Sequence, residues 1–346
     1  MGKEKICLIG HLAEGIECYD GQTIKTRELY KTIINKTDYD VIVVDTFLNK
    51  KNKIKLFINA FFGIIKTRKI IVLLSKNGRR IFFPILYLLT ILFKYKIIND
   101  VIGGNIANDI ANKKRYIKYL NSFALNIVET NSIKDELIKI GIKNILVIPN
   151  YRSIGNTRIM SNKDKKNVKE FCTFSRVMKE KGIDDAIKAI EEINRIDNVD
   201  CKLDIYGPID DAYKEYFYKE IEECKNVKYR GVVSQEDRLN VLNKYYALLF
   251  PTFWIGEGMA GTLIDALQSG LPAITTNFKS NKEVINDGYT GLIYPNKKYG
   301  DLKKAILYLI NNENIRNELA DNCLKESRKY SNDDLIDLMI NKILEI

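Results

Sequence analysis

Two carboxylates eight positions apart, Glu257 and Asp265, enclose a glycine-rich stretch, Gly258-Met259-Ala260-Gly261-Thr262. The apolar run before it, Ala247-Leu248-Leu249-Phe250, reads as a buried strand ending at Pro251. A helix from Thr262 to Ser269 follows, and Gly270-Leu271-Pro272 ends it. A loop that feeds a helix N-terminus leaves backbone N–H groups unpaired and aims the positive end of the helix dipole at the loop, which suits a phosphate. Each carboxylate offers two acceptor oxygens, the pattern that paired hydroxyls of a sugar ring or a ribose require. Without a ligand, the same residues read as a helix-stabilising acid at Asp265 and a solvated one at Glu257.

The elements that must position this stretch follow from the rhythm of the chain. Short apolar runs alternate with helix-length amphipathic segments, as in βαβ units around a parallel sheet. Strands are expected at Lys5–Gly10, Asp40–Asp45, Lys69–Leu74, Lys96–Ile102, Leu125–Glu129 and Asn144–Ile148. The intervening helices include Thr23–Asn35, Ile54–Thr67, Arg79–Phe93 and a single one over Asn108–Ser122. The rhythm lapses after Pro149 and restarts with strands at Glu170–Ser175, Lys202–Tyr206, Val227–Gly231, Ala247–Pro251, Ala273–Thr276 and Gly291–Tyr294. Gln235–Tyr246 fits a helix in this half. The expected division is therefore a Rossmann-like domain over 1–150, a linker over 151–167, a second Rossmann-like domain over 168–330, and a C-terminal helix over 331–346 that packs on either. Doubly wound sheets bind ligands beyond the carboxyl ends of their strands, at a switch point, so two such domains imply an interdomain cleft.

Composition narrows the chemistry. The six cysteines have scattered spacings and form no C-x-x-C pair, and nothing at the N-terminus reads as a signal peptide; reduced thiols and a cytoplasmic location are the expectation. The lone histidine, His11, disfavours a His-based zinc site and any Ser-His-Asp triad that does not use it. Asp38-Tyr39-Asp40 is formally D-x-D but precedes a strand, so no metal site is assigned. Net charge is +11 and uneven: residues 1–160 carry 27 Lys/Arg against 13 Asp/Glu, and residues 46–99 carry 12 cations and no acid. Such a patch attracts phosphate-bearing partners. Nucleic acid is disfavoured because no reader motif accompanies the charge. Residues 81–98, IFFPILYLLTILFKYKII, fit a core helix, a helix in a membrane interface with Arg79 and Arg80 at its edge, or, at the lower length limit, a membrane span.

The string E-G-x-x-G-T-x-x-D-A-x-x-x-G-L-P resembles the signature of glycosyltransferase family four and its relatives of the GT-B fold. Phe174-Ser175-Arg176-Val177 followed by Lys181-Gly182, Tyr206-Gly207-Pro208, and Asn281-Lys282-Glu283 before Gly288 are similar to further parts of that pattern. The resemblance spans most of the chain and is specific in the second half. It implies an α/β GT-B architecture of two Rossmann-like domains facing a cleft. It also implies that Glu257 contacts a donor sugar, that Asp265 (where the family carries a longer acid) holds the ribose, and that Arg176 and Lys181 neutralise the donor diphosphate. Gly207, Gly258, Met259, Ala260, Gly261 and Thr262 would complete the donor site. On the acceptor side, Gly21-Gln22-Thr23-Ile24-Lys25 is similar to the family's N-terminal glycine loop; Gly104 and Asn105 end another strand near it, and His11 follows the first.

The implied activity is retaining transfer of a hexosyl or N-acetylhexosaminyl group from a nucleotide-diphosphate sugar, with uridine as base, to a glycan or lipid-linked acceptor. Catalysis would be electrostatic and positional, with no cofactor and no metal. Paired carboxylates for a covalent double displacement are not visible in the sequence. A basic, partly apolar first domain fits an enzyme peripherally associated with the anionic inner face of the cell membrane, through residues 46–99. The rival readings are a nucleotide-sugar epimerase or phosphorylase on the same fold and a non-catalytic partner subunit of a glycosyltransferase.

Overall fold

The computed structural model describes residues 3–18, 20–47, 53–152, 169–278, 280–295, 299–330 and 333–346. The chain divides into two compact units: one comprises residues 1–150 with 256–259 and 332–346, the other residues 151–255 with 260–331.

The first unit is built on a six-stranded parallel sheet of β1 (Lys5–Gly10), β2 (Asp40–Asp45), β3 (Lys69–Val72), β4 (Lys96–Asp100), β5 (Leu125–Val128) and β6 (Ile145–Val147), in the order β2-β1-β3-β4-β5-β6. Its central strands are apolar on both faces because helices cover both. Ile6, Cys7, Leu8 and Ile9 of β1 are fully buried, as are Ile70, Ile71 and Val72 of β3. The switch point lies between β1 and β3. The C-terminal helix Asp333–Glu345 belongs to this unit: Lys36 bonds Asp337 at 2.8 Å, and Lys69 donates to the Ile343 carbonyl at 2.9 Å.

The second unit carries β7 (Lys169–Phe174), β8 (Cys201–Tyr206), β9 (Val227–Gly231), β10 (Ala247–Phe250), β11 (Ala273–Thr276) and β12 (Gly291–Tyr294), all parallel, in the order β12-β11-β10-β7-β8-β9. Renumbered within the domain this is the Rossmann order, with its switch point between β7 and β10. Helix Ile183–Glu192 covers one face, burying Ile183, Ala186, Ile187, Ala189 and Ile190. Each fully buried isoleucine there contributes about 1.5–3 kcal/mol.

Two expected helices are corrected. Asn108–Ser122 is two helices, Ile106–Ile110 and Lys114–Ser122. Ile110 and Tyr116 are both buried but six positions apart, off the helical period, so the chain must turn at Ala111–Lys113 to bury both. Gln235–Tyr246 shrinks to Arg238–Leu242. The Tyr245 hydroxyl is drawn to Asp204 at 2.8 Å and the Tyr246 hydroxyl to the Leu309 carbonyl at 2.8 Å, and one helix cannot serve both directions. Of the expected linker, Tyr151 and Arg152 are buried and group with the second unit, whereas residues 153–167 lie outside the described residues.

The apolar segment over 81–98 resolves into the end of helix Lys76–Phe93 and then β4. Among the described residues, no helix is long and apolar enough to cross a membrane. Phe82, Phe83 and Leu86 enter the core, while Ile85, Leu88 and Leu92 face out. Arg79, expected at an exposed helix edge, is buried instead: it bonds Asp109 at 3.1 Å and the Leu74 carbonyl at 3.3 Å. Burial lowers its pKa, and Asp109 partly offsets this.

Candidate functional site

In the second unit, the two strands that flank the switch point carry the expected cations and helix. β7 ends at Phe174 and delivers Ser175 and an exposed Arg176. The turn is closed by Gly207, at the end of β8. Its φ is +130°, and a Cβ there would meet the Ser175 carbonyl oxygen at 1.9 Å. Val177 then donates to the Pro208 carbonyl at 2.9 Å. Gly207→Ala is therefore expected to lower stability by about 1–3 kcal/mol and displace the Arg176 turn. A chemical denaturation curve matching the wild type would overturn this.

Lys181 ends a short 3-10 turn, Lys179–Lys181, and is only 7% exposed. Its ammonium lies over the rings of Trp254, at 4.9 Å, and Phe250, at 5.3 Å, which stabilise a cation drawn out of water. The backbone joins the same two segments: Phe253 donates to the Glu180 carbonyl at 2.8 Å. Gly182 permits the close approach, with φ +72° and a virtual Cβ 2.3 Å from the Pro251 carbonyl oxygen.

Beyond β10, helix Gly261–Gln268 begins at Ala260, whose side chain provides no cap. Thr262 anchors the first turn by donating to the Phe174 carbonyl at 2.7 Å, tying the helix to the end of β7. Arg152 lies against the N-terminus of this helix: a Cβ on Gly261 would stand 2.0 Å from its Nη2. Arg152 is itself fixed at both backbone groups: its N–H donates to the Tyr330 carbonyl at 3.0 Å, and its carbonyl accepts from Gln268 Nε2 at 2.9 Å. Asp265, expected at the ribose, is placed beside two arginines. It is buried, its Oδ1 accepts from Arg238 Nε at 2.8 Å, and Arg152 Nε lies 3.9 Å away. The corner thus gathers the guanidinium groups of Arg152 and Arg238, the Asp265 carboxylate and the positive end of a helix.

Glu257, Gly258 and Met259 group with the first unit. Gly104 donates to the Gly256 carbonyl at 3.1 Å, and a Cβ on Gly104 would fall 1.8 Å from the Glu257 carbonyl oxygen. Glu129 Oε2 accepts from the Met259 amide at 3.0 Å, and Asn150 donates to the Met259 carbonyl at 3.3 Å. The other oxygen of Glu129 pairs with Lys25 at 3.1 Å, and Lys25 reaches Asp100 at 2.6 Å. This buried Asp100–Lys25–Glu129 row holds the Glu257 loop by its backbone.

The acceptor-side expectations separate. Lys25 and Gln22 turn inward, Lys25 to that row and Gln22 to the Leu73 carbonyl at 2.9 Å. Gly21 opens helix Gly21–Lys36, capped by Asp20, which accepts from the Thr23 amide at 3.0 Å. Asn105 precedes helix Ile106–Ile110 and accepts from Asn108 at 2.9 Å. His11 packs edge-on against Phe47. Glu129, Arg152 and Arg238 were not anticipated. Each meets its partner across more than 25 positions of sequence, and the only local trace is the place of Glu129 at the end of a strand.

The chain matches the family described as "Glycosyl transferases group 1" over residues 156–329. An uncharacterized glycosyltransferase of Methanocaldococcus jannaschii is 25% identical over 221 residues, 63% of this chain and 56% of that relative. A capsular polysaccharide biosynthesis glycosyltransferase of Staphylococcus aureus, CapM, is 28% identical over 159 residues, 45% of this chain and 40% of CapM. The matched parts thus span about half the length of these relatives. Among solved structures, sucrose-phosphate synthase of Thermosynechococcus elongatus shares the fold at a TM-score of 0.77 with 13% identity, over 99% of this chain and 98% of that one. Anabaena HepE in complex with UDP does so at 0.75 with 12% identity, over 99% of each chain. With the matched residues taking in the Arg176–Lys181 turn and the helix at Gly261, the chain belongs to the glycosyl transferases of group 1, on a GT-B pair of Rossmann-like domains.

Proposed function

We propose that this protein is a retaining glycosyltransferase that moves a hexosyl or N-acetylhexosaminyl group from a UDP-sugar to a glycan or lipid-linked acceptor. The observation that carries the reading is the positive corner at the β7/β10 switch point, where the uncapped start of helix Gly261–Gln268 meets the Arg152 guanidinium. A helix start with a guanidinium beside it suits the phosphates of a nucleotide diphosphate. Arg176 and Lys181, delivered by the end of β7, stabilise the departing β-phosphate as the bond between the anomeric carbon and oxygen breaks. Glu257 orients the donor sugar, and the acceptor hydroxyl attacks from the face the diphosphate leaves. Asp265 acts by holding Arg238 and Arg152. The positive charge that faces the diphosphate comes from protein groups, so neither a cofactor nor a metal is assigned. Uridine is favoured by the UDP bound in HepE. A surface-glycan or glycolipid acceptor is favoured by CapM and by the alpha-galactosylglucosyldiacylglycerol synthase of Streptococcus pneumoniae, 25% identical over 170 residues. The enzyme acts in the cytoplasm, associated peripherally with anionic membrane through residues 46–99.

A thermal-shift panel tests this directly. UDP and UDP-sugars at about a hundredfold over their Kd are expected to raise the melting temperature by roughly 6–10 °C, unchanged by EDTA, with smaller shifts from ADP and GDP. No shift with any nucleotide defeats the donor site. UDP release without acceptor but with interconversion of the sugar assigns an epimerase instead.

A further inference from the structure

We infer that the groove between helices Lys53–Ile65 and Lys76–Phe93 takes hydrocarbon chains of an anionic bilayer, so that the first domain inserts into the membrane rather than merely resting on its headgroups. The inference rests on the proposed membrane association and deepens it. On the first helix, Ile58, Phe61, Phe62 and Ile65 are exposed at the i, i+3, i+4, i+7 spacing of one helical face. On the second, Ile81, Ile85, Leu88 and Leu92 are exposed at i, i+4, i+7 and i+11, again along one helical face, and Leu92 is 65% exposed. Between the two stripes runs a cavity of about 400 Å³, floored by Ala60, Ile64 and Phe82 and walled by Phe61, Ile85 and Leu89. Tyr95 closes one end by donating to the Ile64 carbonyl at 3.3 Å. Water gains nothing in such a groove, and two parallel apolar stripes expose far more than the scattered leucines of an ordinary surface.

Charge selects the occupant. Residues 46–99 contain 12 cations and no acid. Lys76 and Arg79 are paired with Asp109, and Lys69 reaches Tyr39 and the C-terminal helix, so these three serve the fold. The exposed Lys66, Arg68, Lys94 and Lys96 cluster where both helices end. Arg68 donates to the Phe93 carbonyl at 2.6 Å and stacks on Tyr95 at 5.2 Å, which fixes a guanidinium at the closed end of the groove. Apolar stripes bordered by cations match an anionic bilayer in depth: chains against the isoleucines and phenylalanines, headgroups against Lys and Arg. A second copy of this face, equally cationic, would be repelled.

The test uses the full chain and vesicles of phosphatidylglycerol or phosphatidylcholine. The protein has a single tryptophan, Trp254, in the second unit, so Phe61→Trp adds a reporter to the groove. The protein is expected to float with phosphatidylglycerol vesicles at low salt. Phe61→Trp emission should be quenched by bromines placed mid-chain, and the Trp254 emission of the parent should not. Phe61→Glu should keep its melting temperature and partition at least about tenfold more weakly. Flotation with no quenching and with full binding by Phe61→Glu means adsorption by charge alone; the groove proposal then falls and membrane association stands. No flotation at all overturns both. A dimer in lipid-free solution that Phe61→Glu dissociates makes the face an interface between copies, and the groove proposal falls.

Discussion

Glu257→Ala is expected to fold normally and to transfer sugar about 10²–10³-fold more slowly than the wild type. The loop that presents Glu257 is fixed by its backbone. The Gly256 carbonyl accepts from Gly104, the Met259 amide donates to Glu129, and the Met259 carbonyl accepts from Asn150. None of these contacts uses the Glu257 side chain. Truncation therefore leaves these three backbone anchors in place, and the variant should still unfold in one cooperative transition. On the role proposed for Glu257, what is lost is orientation of the donor sugar, and an error of that kind appears in kcat. Lys181→Gln provides the contrast. It removes a cation from the proposed diphosphate site, so the UDP-induced thermal shift should shrink along with turnover, whereas Glu257→Ala should keep the shift because UDP carries no sugar. Wild-type turnover by Glu257→Ala reduces Glu257 to a structural loop acid. Loss of the UDP shift in Glu257→Ala moves it from the sugar to the nucleotide.

The fold was legible in the sequence for a simple physical reason. Central strands of a parallel sheet covered on both faces appear as apolar runs, whereas the edge strand Val227–Gly231 alternates with exposed cations; five of the twelve, Lys5–Gly10, Asp40–Asp45, Val227–Gly231, Ala273–Thr276 and Gly291–Tyr294, coincide with the expected spans. The others differ by one or two residues at their ends, where polar residues such as Asn99, Asp100 and Glu129 complete or follow the strand. Helix boundaries were less legible wherever tertiary partners decide them. The break at Ala111–Lys113 depends on where Tyr116 must pack, and the short Arg238–Leu242 helix on where two tyrosine hydroxyls must reach.

The candidate site was legible where its parts are contiguous. The Gly256–Asp265 string and the Arg176–Lys181 turn could be read as units, and the sheet order sets their supporting strands, β7 and β10, side by side. What a string cannot convey is which polar group serves which. Asp265 reads as an acid near a helix start, and only the fold reveals that its oxygen belongs to Arg238, 27 positions earlier. Lys25 reads as a cation in a glycine loop, yet its partners are Asp100 and Glu129. Polar side chains committed to distant partners follow no period, so local spacing carries no sign of their role.

Lys25→Met should be the most destabilising single change in the first domain, at about 3–5 kcal/mol, because it leaves Asp100 and Glu129 buried without their counter-charge. All three groups are under 10% exposed. Burial alone would lower the Lys25 pKa, but Asp100 and Glu129 more than offset it and raise the pKa above the ordinary 10.5. The sign follows. The folded state holds this proton more tightly than the unfolded chain, so the stabilisation is complete below pH 10.5 and declines as pH rises through the higher folded value. In Lys25→Met the dependence should move to acid. With no ammonium beside it, burial and the neighbouring Glu129 carboxylate push the Asp100 carboxyl towards its neutral form, and its protonation relieves the repulsion. The deficit in melting temperature relative to the wild type should therefore be larger at pH 8 than at pH 5. A deficit independent of pH, or one that grows towards pH 5, shows that Lys25 serves by packing rather than by charge. The same variant frees Glu129 from one of its two bonds, so the Met259 amide should exchange its hydrogen faster than in the wild type even where the sheet stays protected. Unchanged protection at Met259 would separate the Glu257 loop from the buried row, whereas faster exchange there shows that the charge inside the first domain sets the position of the loop.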